Sequence, residues 1–454
     1  MELLIKGGTV INADDSCMAD VAVKDGKITV VGQNILPESG TKIVDASGLY
    51  VLPGAIDAHT HFELEFGEFS SADDFFTGTC AASCGGVTTV IDFITPEKGE
   101  SLLTAFEKRN ALAKTKVCID YSFHMGLTDI NDHTIKEMEA VLNAGIPSFK
   151  VFMTYAFRAT DIELKRTLSR AKEINALIMV HAEEHEALEA LKAKFIAKNK
   201  TDAWHHYLSR PESNETNAVI KVVDLAKSTG AALYIVHLAS EGGLIAIESA
   251  QKEGYPIYAE TCPQYLNFTC DIYKRPDGRN FVCSPPIKGQ KSKDALWQGI
   301  IKGSINTVAT DHCPFLSTEK DRGKLDFTKI PNGVMGVENM YPYILSKANE
   351  GYISFERVVE LCCSSPAKIF GIADTKGAIK PRFDADIVLY DKSKNFTVTQ
   401  KNMHSKIDYT IWEGTELKGY PISTYSRGKL IYKDGHFQGK QGHGKLLKRS
   451  LTPK

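Results

Sequence analysis

Between residues 55 and 311 the chain repeats one pattern: a short β-branched, apolar run, then a stretch with apolar positions three and four apart. The apolar runs fall at residues 55–59, 87–93, 118–124, 148–152, 176–181, 231–237, 256–260 and 306–311 and predict strands. Helical spacing lies between them, for example over residues 102–113, 135–143, 164–173 and 217–228. Eight such units over roughly 320 residues predict an α/β fold, a (β/α)8 TIM-type barrel with its site at the C-terminal strand ends. The two ends of the chain read differently. Short runs at 3–5, 9–11, 21–23 and 28–31, and again at 387–390, 396–398, 409–412 and 430–432, are punctuated by Gly, Asp and Lys turns. They predict a small β-sandwich domain assembled from both termini. The expected division is residues 1–52 and 377–438 for the sandwich, 53–376 for the barrel, and 439–454 for a basic, glycine-rich arm. That arm has too little apolar content for a core of its own and is expected to be disordered or docked on a neighbouring subunit.

Composition adds exclusions. Of 454 residues, 43% are hydrophobic and 24% charged, as in a soluble globular protein, and the formal net charge of -2 gives no reason to expect nucleic acid or an anionic membrane as partner. The N-terminus does not read as a signal peptide, and no apolar run is long enough to cross a bilayer. Ten scattered cysteines without a Cys-x-x-Cys pair suit a reducing, cytoplasmic setting.

The candidate chemistry lies at the ends of the predicted strands. His59 and His61 stand two apart, so in a strand both point to one side and can share a metal ion. Lys150, His181, His237 and Asp311 each close a later run. Either later histidine alone reads as a satisfied core residue, but four histidines and one aspartate converging on one barrel mouth point to a metal centre. Lys150 sits in an apolar strand, where burial penalises its charge; a neutral amine can take up carbon dioxide as a carbamate, an anion able to bridge two ions.

This order of His-x-His, Lys, His, His and Asp resembles the amidohydrolase superfamily, and within it the dihydropyrimidinase and hydantoinase family. The resemblance rests on Lys150-Val151-Phe152-Met153-Thr154-Tyr155, Ser209-Arg210-Pro211, Glu260-Thr261-Cys262-Pro263-Gln264-Tyr265-Leu266, Cys283-Ser284-Pro285-Pro286, Thr310-Asp311-His312-Cys313-Pro314-Phe315, and Pro331-Asn332-Gly333 leading to Gly336-Val337-Glu338. It covers nearly the whole chain. It implies two divalent ions, zinc, per subunit: His59 and His61 with Asp311 on one, His181 and His237 on the other, and carboxylated Lys150 bridging them. It implies that Tyr155 polarises the scissile carbonyl and that Ser284 and Asn332 hold the ring amide through main-chain groups. The implied reaction opens a dihydropyrimidine or 5-substituted hydantoin ring to an N-carbamoyl amino acid by attack of a metal-bridging hydroxide, with Asp311 moving the proton. Glu260 and Asp92 are alternative bases on residue type alone. A homotetramer or homodimer is expected.

Two loops depart from the family pattern. Glu65 stands where a proline is usual, and Ala156-Phe157-Arg158 follows Tyr155. Phe62, Leu64, Phe66 and Phe157 are expected to form an apolar pocket wall, with Glu65 and Glu68 adding negative charge. The rival substrates are those of dihydroorotase, which typically carries an arginine just after His-x-His where this chain has Phe62-Glu63, and of allantoinase. A catalytically silent scaffold would have lost metal ligands that this chain retains.

Overall fold

The computed structural model describes residues 1–451. Eight strands form one parallel sheet in sequential order: β1 (Ala55–Thr60), β2 (Val87–Ile94), β3 (Asp120–Gly126), β4 (Ser148–Phe152), β5 (Leu177–His181), β6 (Ala232–Ile235), β7 (Ile257–Thr261) and β8 (Thr307–Val308). Each matches an expected run. The last is only two residues long, so the barrel seam closes largely outside regular strand pairing. Asp57 on β1 accepts the main-chain N–H of Thr310 at 3.1 Å and its hydroxyl at 2.6 Å, and the His61 N–H donates to the His312 carbonyl at 2.9 Å. The strands are buried on both faces, which is why they read as continuous apolar runs rather than alternating ones. The helices include Leu102–Ala113, Asp132–Asn143, Asp161–Ile174 and Glu212–Thr229, at or slightly beyond the expected bounds. Three start under side-chain caps from Ser101, Asn131 and Thr160.

The chain ends form a second sheet of nine strands, continuous in its hydrogen bonding, in which Tyr50–Pro53 pairs with Ile387–Thr397 and so joins the N-terminal to the C-terminal strands. The expected runs 3–5 and 9–11 are one strand, Leu3–Ile11, irregular between Ile5 and Gly8. The expected strand at 409–412 is instead a turn. Trp412 turns inward, donates its indole N–H to the Met335 carbonyl at 3.2 Å, and packs on Phe268 and Tyr343. Burial against the barrel, not strand pairing, accounts for that apolar run. The long strand Glu416–Ser426 was not foreseen; Gly419 and Pro421 interrupt its apolar pattern.

As far as Leu451 the basic tail is ordered, not disordered. It runs along the base of its own barrel. Leu447 donates its N–H to the Tyr121 carbonyl at 2.7 Å, and Arg449 donates its own to Gly145 at 2.9 Å. The Arg449 side chain is buried, donating to the hydroxyls of Ser122 (2.9 Å) and Ser148 (2.8 Å) and to the carbonyls of Phe123 and Phe370. Leu446 and Leu447 each meet a buried apolar cluster. Nearby, the Lys376 ammonium lies among Asp120, Asp384 and Asp386 at 2.6–3.0 Å and ties the barrel to the terminal sheet.

Candidate active site

All nine residues singled out from the sequence line one cavity of about 380 Å³ at the C-terminal end of the barrel: His59, His61, Lys150, Tyr155, His181, His237, Ser284, Asp311 and Asn332. His59 and Lys150 lie within β1 and β4, and His181 is the last residue of β5. His237 and Asp311 lie two and three residues past their strands, and both, like Tyr155, adopt left-handed backbone (φ +38°, +53° and +76°). Such a conformation is costly for a side chain with a Cβ and is held by its surroundings; here it turns three polar groups into one mouth.

Two subsites can be distinguished. His59 Nε2 and His61 Nε2 each lie 3.1 Å from Asp311 Oδ1. Opposite them, His181 Nδ1 faces His237 Nε2 at 2.9 Å. Lys150 is buried with its amine over the faces of Phe93 (5.1 Å) and Phe152 (5.3 Å). Carboxylates stand behind the imidazoles. His59 Nδ1 donates to Glu260 at 2.6 Å, so Nε2 is the nitrogen turned to the cavity; Glu260 also accepts the His237 N–H and the Tyr234 hydroxyl, each at 2.9 Å. His181 Nε2 donates to Glu183 at 2.8 Å, leaving Nδ1 to face the subsite, and Arg210 holds Glu183 at 2.5 Å. A carboxylate on the far ring nitrogen fixes the tautomer and orientation of a metal-binding histidine.

The electrostatics suit a cation. Burial lowers Lys150 to about 8, against the pull of Asp311 and Glu260, so a neutral amine is accessible. Burial alone would raise Asp311, but His59 and His61 hold it well below the usual carboxylate range. Burial lowers both His181 and His237 and favours their neutral, ligating form. Burial lowers His59 too, but Glu260 and Asp311 on its two sides outweigh this and raise it to about 9, a proton that a bound cation would displace. His59 Nε2 is buried without a hydrogen bond. Imidazole and carboxylate atoms so placed fit a divalent metal ion.

Some expectations move. Phe62 is not a wall of the pocket: it is fully buried, packed on Phe75 and His312 and against Gly78. Leu64 and Phe157 do line it, joined by Phe152, Cys313 and Phe315, which were not foreseen. Glu65 reaches the rim, whereas Glu68 is engaged by Arg322 at 2.7 Å. Asp92 is structural: it accepts from Thr60, from the Phe62 N–H and from Arg109. Glu260 holds His59 and so is placed behind the site, not in it. Glu183 was missed, although its His-x-Glu spacing after His181 repeats the two-residue step of His59 and His61.

Residues 50–431 match the profile of the amidohydrolase family. The chain belongs to that family. Within it, the chain is 42% identical over 99% of both chains to a D-hydantoinase of Ralstonia pickettii, and 40% identical to a D-phenylhydantoinase of Escherichia coli K12, with 99% of this chain and 98% of that one covered. Its backbone is similar to the crystal structure of dihydropyrimidinase from Brevibacillus agri, with a TM-score of 0.98, 39% identity and full coverage of both chains. Amidohydrolases of this hydantoinase and dihydropyrimidinase branch are thus its relatives along its whole length.

Proposed function

We propose that this protein is a cyclic amidohydrolase that opens neutral dihydropyrimidine or 5-substituted hydantoin rings to N-carbamoyl amino acids. The observation that carries the reading is the pocket itself, where four imidazoles, Asp311 and a desolvated Lys150 meet beneath apolar walls of Leu64, Phe152, Phe157 and Phe315. His59, His61 and Asp311 would hold one divalent ion and His181 and His237 another, with a carbamate on Lys150 between them; zinc suits the donors. When bound, such ions supply an activated water and polarise the scissile carbonyl.

The remaining steps belong to the side chains. Asp311, ionised, accepts a proton from the attacking water and delivers it to the departing ring nitrogen. Tyr155, whose phenol burial pushes up to about 12, stays protonated and donates to the carbonyl oxygen as it gains charge. Main-chain groups of Ser284 and Asn332 hold the ring amide; the two residues meet through a 2.9 Å bond from Asn332 Nδ2 to Ser284 Oγ. No arginine lines the pocket, Lys150 is its only lysine and is taken up as the carbamate, and Glu65 stands at the rim, so the carboxylate of an anionic ring meets no free lysine or arginine there. The names of the relatives support D-configured hydantoins. The ten free cysteines support a cytoplasmic location. No helix among the described residues is long and apolar enough to cross a membrane. A homotetramer or homodimer is the proposed assembly, supported by the exposed Ile220 and Ile245 side by side on neighbouring helices.

The test is a hydrolysis panel of dihydrouracil, dihydrothymine, 5-substituted hydantoins, allantoin and dihydroorotate, read by N-carbamoyl product. Hydantoins with a small apolar or aromatic substituent should lead. Dihydroorotate should trail by at least about tenfold in kcat/KM, the equivalent of one unfavourable charge contact. Dihydroorotate as best substrate, or no ring opened, would overturn the reading.

A further inference from the structure

Lys320 is fully buried on the short helix Ser317–Asp321, beyond the Asp311 turn, and takes no part in the reaction described above. Its ammonium donates to three main-chain carbonyls: Val282 at 2.9 Å, Pro331 at 2.7 Å and Gly333 at 2.7 Å. An ammonium has three N–H donors, and these three acceptors use them all. The acceptors belong to two separate segments, one leading into Ser284 and the other enclosing Asn332. The segments also meet directly, through the Gly333 N–H on the Val282 carbonyl at 3.0 Å and through the Asn332–Ser284 side-chain bond. The packing leaves little slack: a Cβ on Gly333 would come within 2.2 Å of the Cys313 carbonyl oxygen.

Placing an ammonium in the interior against carbonyls alone is expensive. Burial pushes Lys320 down to about 7, although Cys283, Cys313 and Glu319 favour its charge. Stability alone does not call for a buried charge here. What the arrangement secures is the spacing of two loops, and those loops carry the groups assigned to the ring amide.

We propose that Lys320 is a positioning residue for substrate, a staple that sets the separation of the Ser284 and Asn332 loops and so the fit of the ring amide between them. The proposal rests on the reading of Ser284 and Asn332 given above. Lys320 touches neither the metal subsites nor the reacting atoms, so its loss should weaken substrate binding and leave the metal ions in place.

The experiment compares Lys320→Met, which keeps length without donors, and Lys320→Gln, which keeps two donors, in the metal-loaded protein. Three quantities are read: metal content, kcat and KM for a hydantoin, and hydrogen exchange of the 282–284 and 331–333 segments. KM should rise about tenfold in Lys320→Met, the effect of losing about one positioned hydrogen bond, and less in Lys320→Gln, with metal retained and kcat changed less than KM. Exchange should quicken in both segments while β1 to β7 stay protected. Should Lys320→Met not fold, Lys320→Gln alone carries the comparison. Unchanged exchange in both loops would overturn the staple. Metal loss with KM unchanged would also overturn it, as a merely structural role. Faster exchange with KM unchanged would overturn the positioning role alone and leave the ring-opening reading, which the hydrolysis panel tests, in place.

Discussion

At the scale of single residues, position along the chain and role in the site come apart. Glu260 and Asp92 are both buried carboxylates close to the pocket, yet one orients His59 and the other anchors Arg109 and the turn after His61. Only Asp311 presents an oxygen to two imidazoles that face the cavity. Glu183 does for His181 what Glu260 does for His59. Burial would raise its carboxyl, but Arg210 and His181 hold it at about 2. Glu183→Gln should therefore weaken metal binding at the His181–His237 subsite by about 10- to 100-fold, the usual effect of losing such a partner. Chelator competition measures this, and affinity equal to the parent's would remove Glu183 from the metal site. Tyr155→Phe tests the other side of the pocket. It should keep the full metal content and lower turnover by roughly 10²–10³, the range for one oxyanion donor. Elemental analysis beside steady-state kinetics separates the two effects, and turnover within a factor of two of the parent would exclude Tyr155 from the reaction.

At the scale of elements, the barrel strands were legible and the segments joining them were not. A parallel strand buried on both faces must be apolar throughout, so all eight barrel runs stand out. Loops obey no such period. Phe62 and Leu64, two residues apart, were assigned to one wall, but a turn at Glu63 (φ +47°) sends Phe62 into the core and Leu64 to the pocket. The run 409–412 is apolar for the sake of packing against the barrel, not for pairing. The tail shows the same limit more plainly. Its lysines and glycines read as solvated, yet Arg449 finds four acceptors at the barrel base, drawn from three segments distant from it in sequence. Ending the chain at Gln438 would open that base and should lower the thermal midpoint, on the order of 5 °C for loss of a few kcal/mol in a chain of this size. Calorimetry, with sedimentation run alongside, distinguishes this from a change of oligomer; an unchanged midpoint would show that the strap contributes nothing to stability.

At the scale of the whole molecule, the two domains are tied by charged groups at their seams. Besides Lys376 and its three aspartates, His404 of the C-terminal segment meets Glu338 beside the barrel, with its Nδ1 at 2.6 Å. The hydrogen bond to Glu338 raises His404 to about 9, although burial opposes it, and burial raises the Glu338 carboxyl. The folded value lies above the ~6.5 of a free histidine, so folding holds the proton more tightly than the unfolded chain does. The contribution of the His404 proton is complete below about pH 6.5 and is lost as pH rises through about 9. His404→Gln should accordingly cost most stability near pH 6 and little near pH 10. Denaturant midpoints at the two values decide this, and a pH-independent difference would contradict it.

The sequence by itself determined the barrel, the sheet built from both chain ends, and a set of nine residues that meet in one cavity. Period and burial are written locally: a strand's apolar run and a His-x-His step need no distant partner to be read, and each candidate metal ligand stands at or close to the end of such a run. Tertiary structure alone decided which carboxylate stands behind which histidine, which phenylalanine faces the pocket, where the tail lies, and that Lys320 joins two loops. Each of these depends on the meeting of segments tens to hundreds of residues apart, as Arg449 meets Ser122, and a local pattern carries no record of what the folded chain brings beside it.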